Sequence, residues 1–204
     1  MATVFVVLVG TGAAYLLASK NFKGKEILDI LFTLPLVLPP TVTGYYLILL
    51  MGRNGLIGGF VYRWTGWNIM FTWYAAVLAS FVVSLPLMIK TTRAAIESVD
   101  KSLINASYTL GHGELTTALK VILPLSKKGI LAGTVLAFAR AMGEFGATLM
   151  VAGNIPGKTN TMPIAIYNSA SSGEWTHAHL LVVFFTLISG LFIYIANKFS
   201  TRVI

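Results

Sequence analysis

The clearest candidates for a functional site in this sequence are the oppositely charged residues Arg140 and Glu144. They lie four positions apart in an otherwise apolar stretch, where an ionised pair costs several kcal/mol unless it faces a protein interior or a watery path. On a continuous helix this spacing brings both side chains to one face, within reach of each other. The pattern is typical of a transport pathway rather than of a membrane anchor.

The composition places the chain in a membrane. Of its 204 residues, 56% are hydrophobic and 11% are charged, and the mean hydropathy is +0.78, whereas a soluble domain carries roughly 25% charged residues. Because so few polar groups cannot cover the apolar surface, lipid must be part of the solvent. We expect residues 1–204 to form a single membrane domain, since the length leaves too little chain for a separate soluble domain. The absence of cysteine excludes disulfides and thiolate metal sites.

Five apolar runs predict an all-α, polytopic membrane protein with about five transmembrane helices. The runs cover residues 2–18, 27–51, 69–89, 129–151 and 179–197. A spanning helix needs roughly 20 residues, so we interpret the first run, which is slightly short, as a shortened form of a longer helix. Small residues recur every four positions in the fourth run and predict a close helix crossing. These residues are Gly129, Gly133, Ala137 and Ala141.

The loops between the runs are asymmetric in charge. One side holds eleven Lys or Arg residues: Lys20, Lys23, Lys25, Lys90, Arg93, Lys101, Lys120, Lys127, Lys128, Lys198 and Arg202. The opposite side holds only Arg53, Arg63 and Lys158. The four tryptophans flank that second side, as interfacial aromatic residues do. The positive-inside rule therefore predicts an N-terminus outside the cell and a C-terminus in the cytoplasm.

The second run contains adjacent prolines, Pro39 and Pro40. Proline removes a backbone donor and distorts a helix, and membranes tolerate such backbone where it lines a cavity or packs on protein. Thr41 and Thr43 add hydroxyl groups nearby. We interpret these four residues as part of a solute pathway. A simple kink that never meets solute is the alternative.

The loop over residues 90–128 is the longest on the charged side, and its pattern predicts two helices. The first is expected over residues 94–110, where two glycines end it, and the second over residues 114–122, with Pro124 as its stop. The phosphate-binding pattern GxxxxGK[ST] occurs nowhere in the chain. A compact projection without a nucleotide site predicts a docking element for a separate protein that supplies the energy.

This loop resembles the EAA motif of ATP-binding-cassette (ABC) importer permeases. Its anchors are Asn105-Ala106-Ser107, then Gly111, then the Val-Ile-Leu-Pro sequence that ends at Pro124, and their spacing is that of the motif. Asn, Ser and Val stand where the motif has Glu, Ala and Ile. The resemblance implies coupling helices that sit in a groove of an ATPase subunit; an ordinary connection with a glycine turn is the alternative. The residues assigned to coupling are Asn105, Ala106, Ser107, Gly111, His112, Gly113, Glu114, Leu123 and Pro124.

Longer segments resemble the molybdate permeases. They read LPLVLPPTVTGYY at residues 34–46, RAMGEFGATLM at 140–150, GNIPG at 153–157 and PIAIY at 163–167. Sulfate and tungstate permeases are close relatives of that family. The resemblance implies the permease subunit of an ATP-driven importer for a tetrahedral oxyanion, with molybdate as the first expectation, in the inner membrane of a prokaryote.

The resemblance also implies partners and a mechanism. We expect a cytoplasmic ATPase dimer that binds ATP and Mg²⁺, a second copy of this permease, an extracytoplasmic oxyanion-binding protein and surrounding lipid, but no nucleic acid. The chain itself is expected to hold no cofactor, metal or catalytic residue, and His177 and His179 lack further ligands. Alternating access would move the solute, residues 152–176 would form the outer docking or gating surface, and any regulatory domain would belong to a partner. The alternatives are a sulfate or tungstate permease, a passive channel, and a membrane enzyme or scaffold.

Two roles stay open for the charged pair. In one, Arg140 offers positive potential to a passing divalent oxyanion and Glu144 holds its side chain in place. In the other, the two neutralise each other and shape a gate without touching solute. We favour the second role, because intramembrane charges normally pair and a permeation path must bind weakly enough to release its solute. The predicted pathway or gate residues are Pro39, Pro40, Thr41, Thr43, Arg140 and Glu144.

Overall fold

The computed structural model describes residues 1–202, and every regular element in that range is a helix. The helices are α1 (Ala2–Ser19), α2 (Lys25–Val37), α3 (Pro40–Met51), α4 (Gly58–Thr65), α5 (Trp73–Glu97), α6 (Lys101–Thr109), α7 (Glu114–Thr117), α8 (Leu123–Leu125), α9 (Lys127–Met142), α10 (Gly146–Ala152), α11 (Met162–Ser171) and α12 (Trp175–Arg202). A π-helical turn, Ala118–Ile122, joins α7 to α8. The all-α prediction is confirmed, and all five apolar runs are helical.

The five runs are not equally regular. Within the described residues, α1, α5 and the Trp175–Ala196 part of α12 are single helices long and apolar enough to cross a membrane. The second and fourth runs are each divided into two helices. The prediction of about five spans is therefore roughly consistent with the described helices, two of the apolar runs being broken rather than continuous.

Helix α5 is the centre of the bundle, with α1 and α9 packed along it. The face that α1 buries recurs every three or four residues, at Val6, Gly10, Ala14 and Leu17, as a one-sided helix requires. A Cβ atom on Gly10 would lie only 2.6 Å from the Cγ atom of Met88. The absence of a side chain there therefore lets α1 approach α5 closely.

The predicted ridge of small residues packs α9 against α5. A Cβ atom on Gly129 would overlap the Ala95 side chain, and one on Gly133 would lie 3.1 Å from Met88 Sδ. Ala137 is fully buried on the same face. Small side chains permit this approach because helix association in a membrane depends on close packing.

The second run breaks between α2 and α3, at Leu38 and Pro39. Leu38 adopts an extended conformation, with φ −71° and ψ 142°, which is the conformation that a following proline favours. Pro40 then begins α3 at a position where the missing N–H is unneeded. The predicted distortion is confirmed as a complete interruption of the helix.

The fourth run also breaks, which the sequence pattern did not predict. Helix α9 ends at Met142, and α10 begins only at Gly146. Glu144 therefore lies between two helices, so the expectation that it shares one helix face with Arg140 is wrong. Glycine at position 143 weakens the helix, and the Glu144 carboxylate accepts a hydrogen bond from the N–H of Ala147 at 2.7 Å. That bond caps a new helix instead of continuing the old one.

The connection between α5 and α9 differs from its prediction at the first helix. The expected helix over residues 94–110 is divided, because α5 continues to Glu97 and α6 begins only at Lys101. Asp100 explains the restart, since its Oδ1 atom accepts a hydrogen bond from the N–H of Ser102 at 2.8 Å. An aspartate in this position satisfies an N–H group that the first helical turn leaves without a partner.

Pro124 does not stop the second helix, contrary to the prediction. The helical path runs from Glu114 through the π turn to Leu125, and the chain then bends by 70° into α9. In the π turn the Leu123 N–H bonds to the Ala118 carbonyl, five residues back. This wider turn moves backbone carbonyls away from the proline ring, which would clash with them in a regular helix. We call residues 101–125 the coupling unit, after the role that the resemblance predicts for them.

Candidate functional site

The breaks in the second and fourth runs meet. A Cβ atom on Gly146, the first residue of α10, would lie 3.1 Å from Pro40 Cβ and 3.4 Å from Thr41 N. The two interruptions, about a hundred residues apart in sequence, are therefore in contact. The structure brings Pro40 and Thr41 beside the segment that contains Glu144, as a shared pathway or gate requires. We call residues 38–41 and 143–147 the break site.

Helices α3 and α10 pack tightly just beyond the break site. A Cβ atom on Gly44 would lie 2.7 Å from Met150 Cβ and 3.0 Å from Ala147 Cα. Sequence reasoning gave no role to Gly44 or Gly146, although both stand inside the quoted segments. The only sign of their importance in the sequence is the lack of a side chain, and a single sequence does not show whether a given glycine is required.

Arg140 and Glu144 form an ion pair across the end of α9. Arg140 Nη1 donates to Glu144 Oε2 at 2.8 Å, and Glu144 Oε1 accepts from the Ala147 N–H. The Glu144 side chain is 1% exposed, whereas that of Arg140 is 28% exposed. Both carboxylate oxygens are thus occupied inside the protein, and only the guanidinium keeps access to its surroundings.

Two buried hydroxyl groups lie on the helices that leave the break site. Thr43 on α3 is 4% exposed and Thr148 on α10 is 1% exposed. Neither Oγ1 atom has a hydrogen-bond partner within residues 1–202. A buried polar group without a partner costs about 1–3 kcal/mol. Of the other predicted pathway residues, Pro39, Pro40 and Thr41 are exposed.

The coupling unit is held together by Ser107. Its Oγ atom lies 3.1 Å from His112 Nδ1 and 2.9 Å from Thr117 Oγ1, so it joins α6 to the turn and to α7. Ser107 and Thr117 are buried. Gly111 has a φ of +80°, which favours glycine at this turn. The serine that departs from the motif's alanine therefore contributes a hydroxyl that the fold uses.

The outer surface of the coupling unit is apolar. Leucines at positions 103, 110, 115, 119 and 125 are between 48% and 78% exposed. A groove of about 380 Å³ runs between α6 and α8. Its lining includes the predicted coupling residues Ala106, Ser107, His112 and Pro124. Exposed apolar surface of this kind marks an interaction site.

The remaining predicted coupling residues are not among those that line this groove. Asn105, Gly111 and Gly113 are exposed, and Leu123 is half-buried. Glu114 is turned toward the N-terminal helix, where its Oε2 atom accepts a hydrogen bond from Lys20 Nζ at 2.6 Å. This bond lowers the pKa of the Glu114 carboxyl below its ordinary value and raises the pKa of the Lys20 ammonium.

A second charged cluster joins α2 to α5. Lys90 Nζ donates to both oxygens of Asp29, at 2.8 and 2.9 Å, and Arg93 Nη1 lies 3.3 Å from Asp29 Oδ2. Arg93 Nε also donates to Glu97 Oε1 at 2.7 Å. Sequence reasoning missed this cluster. The four-residue spacing of Arg93 and Glu97 was its only visible signal, because Asp29 and Lys90 are 61 residues apart.

Comparisons with known proteins agree with this architecture. The family model described as "Binding-protein-dependent transport system inner membrane component" matches residues 7–203. The chain is 46% identical to the molybdenum transport system permease protein ModB of Escherichia coli (strain K12) over 185 residues, covering 90% of this chain and 81% of that protein. It is 43% identical to ModB of Haemophilus influenzae, covering 93% and 83%. It is 39% identical to the putative molybdenum transport system permease YvgM of Bacillus subtilis (strain 168), covering 99% and 89%.

Solved structures share the fold at low identity. An inward-facing structure of the MetNI methionine ABC transporter has a TM-score of 0.79 at 16% identity, covering 100% of this chain and 89% of that chain. A bacterial alginate ABC transporter in complex with an alginate pentasaccharide-bound periplasmic protein has a TM-score of 0.75 at 13% identity, covering 99% and 77%. These values concern the fold alone. The family match covers residues 7–203, and the relatives are 39–46% identical to this chain over most of its length. The chain is therefore a multi-pass inner-membrane protein that belongs to the family of binding-protein-dependent transport system inner membrane components.

Proposed function

We propose that this chain is the permease subunit of an ATP-driven importer of molybdate. The observation that carries the proposal is 46% identity to a molybdenum transport permease over 90% of this chain. Relatives that are 43% and 39% identical are also named molybdenum transport permeases, the second of them putatively. A sulfate or tungstate permease is the alternative within the same class of transport.

The energy comes from a separate ATPase dimer that binds ATP and Mg²⁺ and grips the coupling unit. The exposed leucines and the groove between α6 and α8 support this role, since they offer an apolar surface at the end of the bundle that carries most Lys and Arg residues. The positive-inside rule assigns that end to the cytoplasm. The lack of a GxxxxGK[ST] pattern in the sequence agrees with an energy source outside this chain.

The break site acts as the gate. Backbone that leaves the helical pattern at membrane depth is tolerated where it lines a cavity or packs on protein, and here two such interruptions touch. The Arg140–Glu144 pair shapes this gate rather than binding solute, and the occupation of both Glu144 oxygens supports that role. Thr41 and Thr43 offer hydroxyl groups on the α3 side of the gate.

A complete pathway needs a second copy of this chain and an outside partner that delivers the oxyanion. Five apolar runs enclose little space alone, so two copies would face each other across a common path. The segment over residues 152–176, which contains α11 (Met162–Ser171), forms the outer docking or gating surface. ATP and the loaded binding protein then shift the pair between inward and outward states, each through its differential affinity for them.

Reconstituted transport tests this proposal. The permease and its ATPase partner are placed in liposomes, ATP is supplied on the ATPase side, and the binding protein with radiolabelled molybdate on the other. We expect uptake that requires both ATP and the binding protein, and that excess tungstate inhibits more than excess sulfate. Uptake without ATP would indicate a channel, and uptake of sulfate in preference to molybdate would assign the alternative substrate.

A further inference from the structure

Lys20, the residue that follows α1, is connected to the coupling unit. Its Nζ atom donates to Glu114 Oε2 at 2.6 Å, although the two residues are 94 positions apart. Tyr15, on the last turns of α1, donates from Oη to Glu114 Oε1 at 3.4 Å. Both oxygens of Glu114 therefore face the first helix rather than the apolar groove.

The ion pair spans a cavity instead of sealing a packed interface. A space of about 560 Å³ lies between the end of α1, the link from α5 to α6, and the coupling unit. Tyr15, Lys20 and Glu114 all line it. The coupling unit thus has no continuous packing against α1 at this point, and the polar contacts to Glu114 bridge the gap.

Toward α5 the coupling unit is attached differently. Ile122 of the π turn is 3% exposed and belongs to an apolar core that includes Ile96 of α5 and Leu17 of α1, with Ile104 of α6 packed against it. Ser126 Oγ, just after α8, donates to the Ala95 carbonyl of α5 at 3.3 Å. The unit is therefore attached to the apolar core that α1 and α5 share, with one hydrogen bond to α5 and the ion pair of Glu114 to Lys20 as its polar links.

The ion pair is too exposed to be needed for folding. The Lys20 and Glu114 side chains are 46% and 47% exposed, and exposed ion pairs contribute little to stability because water screens them. Its distinct effect is geometric, since it links the end of α1 directly to the start of α7. Helix α1 is in turn packed on α5 along its whole buried face.

We propose that Lys20 is a positioning residue of the transport cycle, whose ion pair with Glu114 transmits the displacement of the coupling unit to α1. The proposal rests on the proposed function, because only a unit driven by an ATPase has a displacement to transmit. Without the pair, the ATPase would still bind the apolar groove and hydrolyse ATP, but α1 would follow the motion poorly. The expected defect is therefore one of coupling rather than of assembly.

The test measures molybdate uptake and ATP hydrolysis in the same liposomes, which hold the permease–ATPase complex with binding protein supplied. Lys20→Met is expected to lower the molybdate taken up per ATP hydrolysed by about fivefold, with hydrolysis retained. Lys20→Glu and Glu114→Lys, which each place like charges together, are expected to show the same loss. The double variant, which restores opposite charges, is expected to recover the ratio.

Lys23→Met is the matched control, because Lys23 lies in the same turn and makes no ion pair in the part of the chain that the structure describes. The unfolding midpoint of Lys20→Met should stay within about 4 °C of the parent. An unchanged uptake-to-hydrolysis ratio in Lys20→Met, or a double variant no better than the single ones, would overturn the proposal. A parent complex without ATP-driven molybdate uptake would instead contradict the proposed function itself.

Discussion

Helices α2 and α3 are the two halves of one apolar run, yet they are held in different ways. Helix α3 buries Thr43, Gly44 and Leu47, and its glycine lies directly against α10. Helix α2 buries none of its residues. It is attached to α5 by the ion-pair cluster around Asp29, and its Leu28 and Phe32 side chains are only partly buried against the core.

This difference separates a fixed half from a half that can move. Close packing resists displacement, because contacts between backbones are lost steeply as they separate. Partly exposed ion pairs contribute little to stability, so they keep a helix attached while still allowing it to shift. The break at Pro39 lies between α3, which is closely packed, and α2, which is held less tightly. The simplest motion that the fold allows is therefore a swing of α2 while α3 stays in place.

The packed half is tested most strongly by Glu144→Ala. The change removes the acceptor of both Arg140 and the Ala147 N–H, and breaking such a buried pair costs about 3 kcal/mol. Chemical unfolding in detergent should show this loss together with loss of molybdate uptake. Glu26→Ala, at an exposed carboxylate that forms no ion pair within the described residues, should change neither. Normal uptake by Glu144→Ala would remove the pair from the gate.

A somewhat smaller effect is expected from Gly44→Leu. The added side chain would collide with Met150 and with the backbone of Ala147, and overpacking of this kind costs about 1–3 kcal/mol. Gly12→Leu on α1 is the control, because no neighbouring atom lies within 4 Å of a Cβ atom there. Chemical unfolding in detergent should show destabilisation for Gly44→Leu alone. Equal stability of the two would mean that α3 is not held by packing on α10.

The charge-held half is tested by Asp29→Asn. Its partners Lys90 and Arg93 are 43% and 23% exposed, so we expect a loss of less than about 1 kcal/mol in unfolding free energy. Molybdate uptake should nevertheless fall, because α2 loses its attachment to α5. Glu26→Gln is the control on the same helix, since Glu26 forms no ion pair within the described residues. Identical uptake by both variants would contradict the distinction between the halves.

The smallest expected effect concerns pH at the Lys20–Glu114 pair. Because the pKa of Glu114 is lowered, the contribution of its ionised form to stability is present above pH 4.5, its ordinary pKa. That contribution is lost as the pH falls through the lower pKa that Glu114 has in the folded protein. Because the pKa of Lys20 is raised, the contribution of its charged form to stability is present below pH 10.5, its ordinary pKa. That contribution is lost as the pH rises through the higher pKa that Lys20 has in the folded protein. The uptake-to-hydrolysis ratio should therefore be flat between about pH 5 and pH 9. A step inside that window that Lys20→Met abolishes would contradict this assignment.

Much of the fold could be predicted because lipid imposes a simple pattern. Apolar runs indicated the three long apolar helices, α1, α5 and α12, adjacent prolines indicated the break in the second run, and small residues every four positions indicated the α5–α9 crossing. The break at Glu144 could not be predicted from periodicity. It depends on whether a carboxylate caps a following helix or pairs along one, and the spacing to Arg140 permits both.

The contacts of the site were harder to predict than its location. Ser107 stood in a recognisable motif, yet its bonds to His112 and Thr117 depend on how the turn at Gly111 folds back. The usual rule that proline ends a helix predicts a stop at Pro124, but the π turn before it accommodates the proline. The partner of Glu114 is determined by tertiary structure, because Lys20 lies 94 residues earlier in the chain. The coupling and gate roles of these residues stay predictions.

The central claim is that a separate ATPase moves this permease through the apolar groove of the coupling unit. Leu110 is 78% exposed at that surface, so Leu110→Asp should leave the fold intact while it opposes apolar docking. The most direct measurement is ATP-driven molybdate uptake by liposomes that contain this variant and the ATPase, beside Thr109→Asp at an exposed neighbouring position. We expect Leu110→Asp to abolish uptake and Thr109→Asp to retain most of it. Uptake by Leu110→Asp at the parent rate would contradict the account.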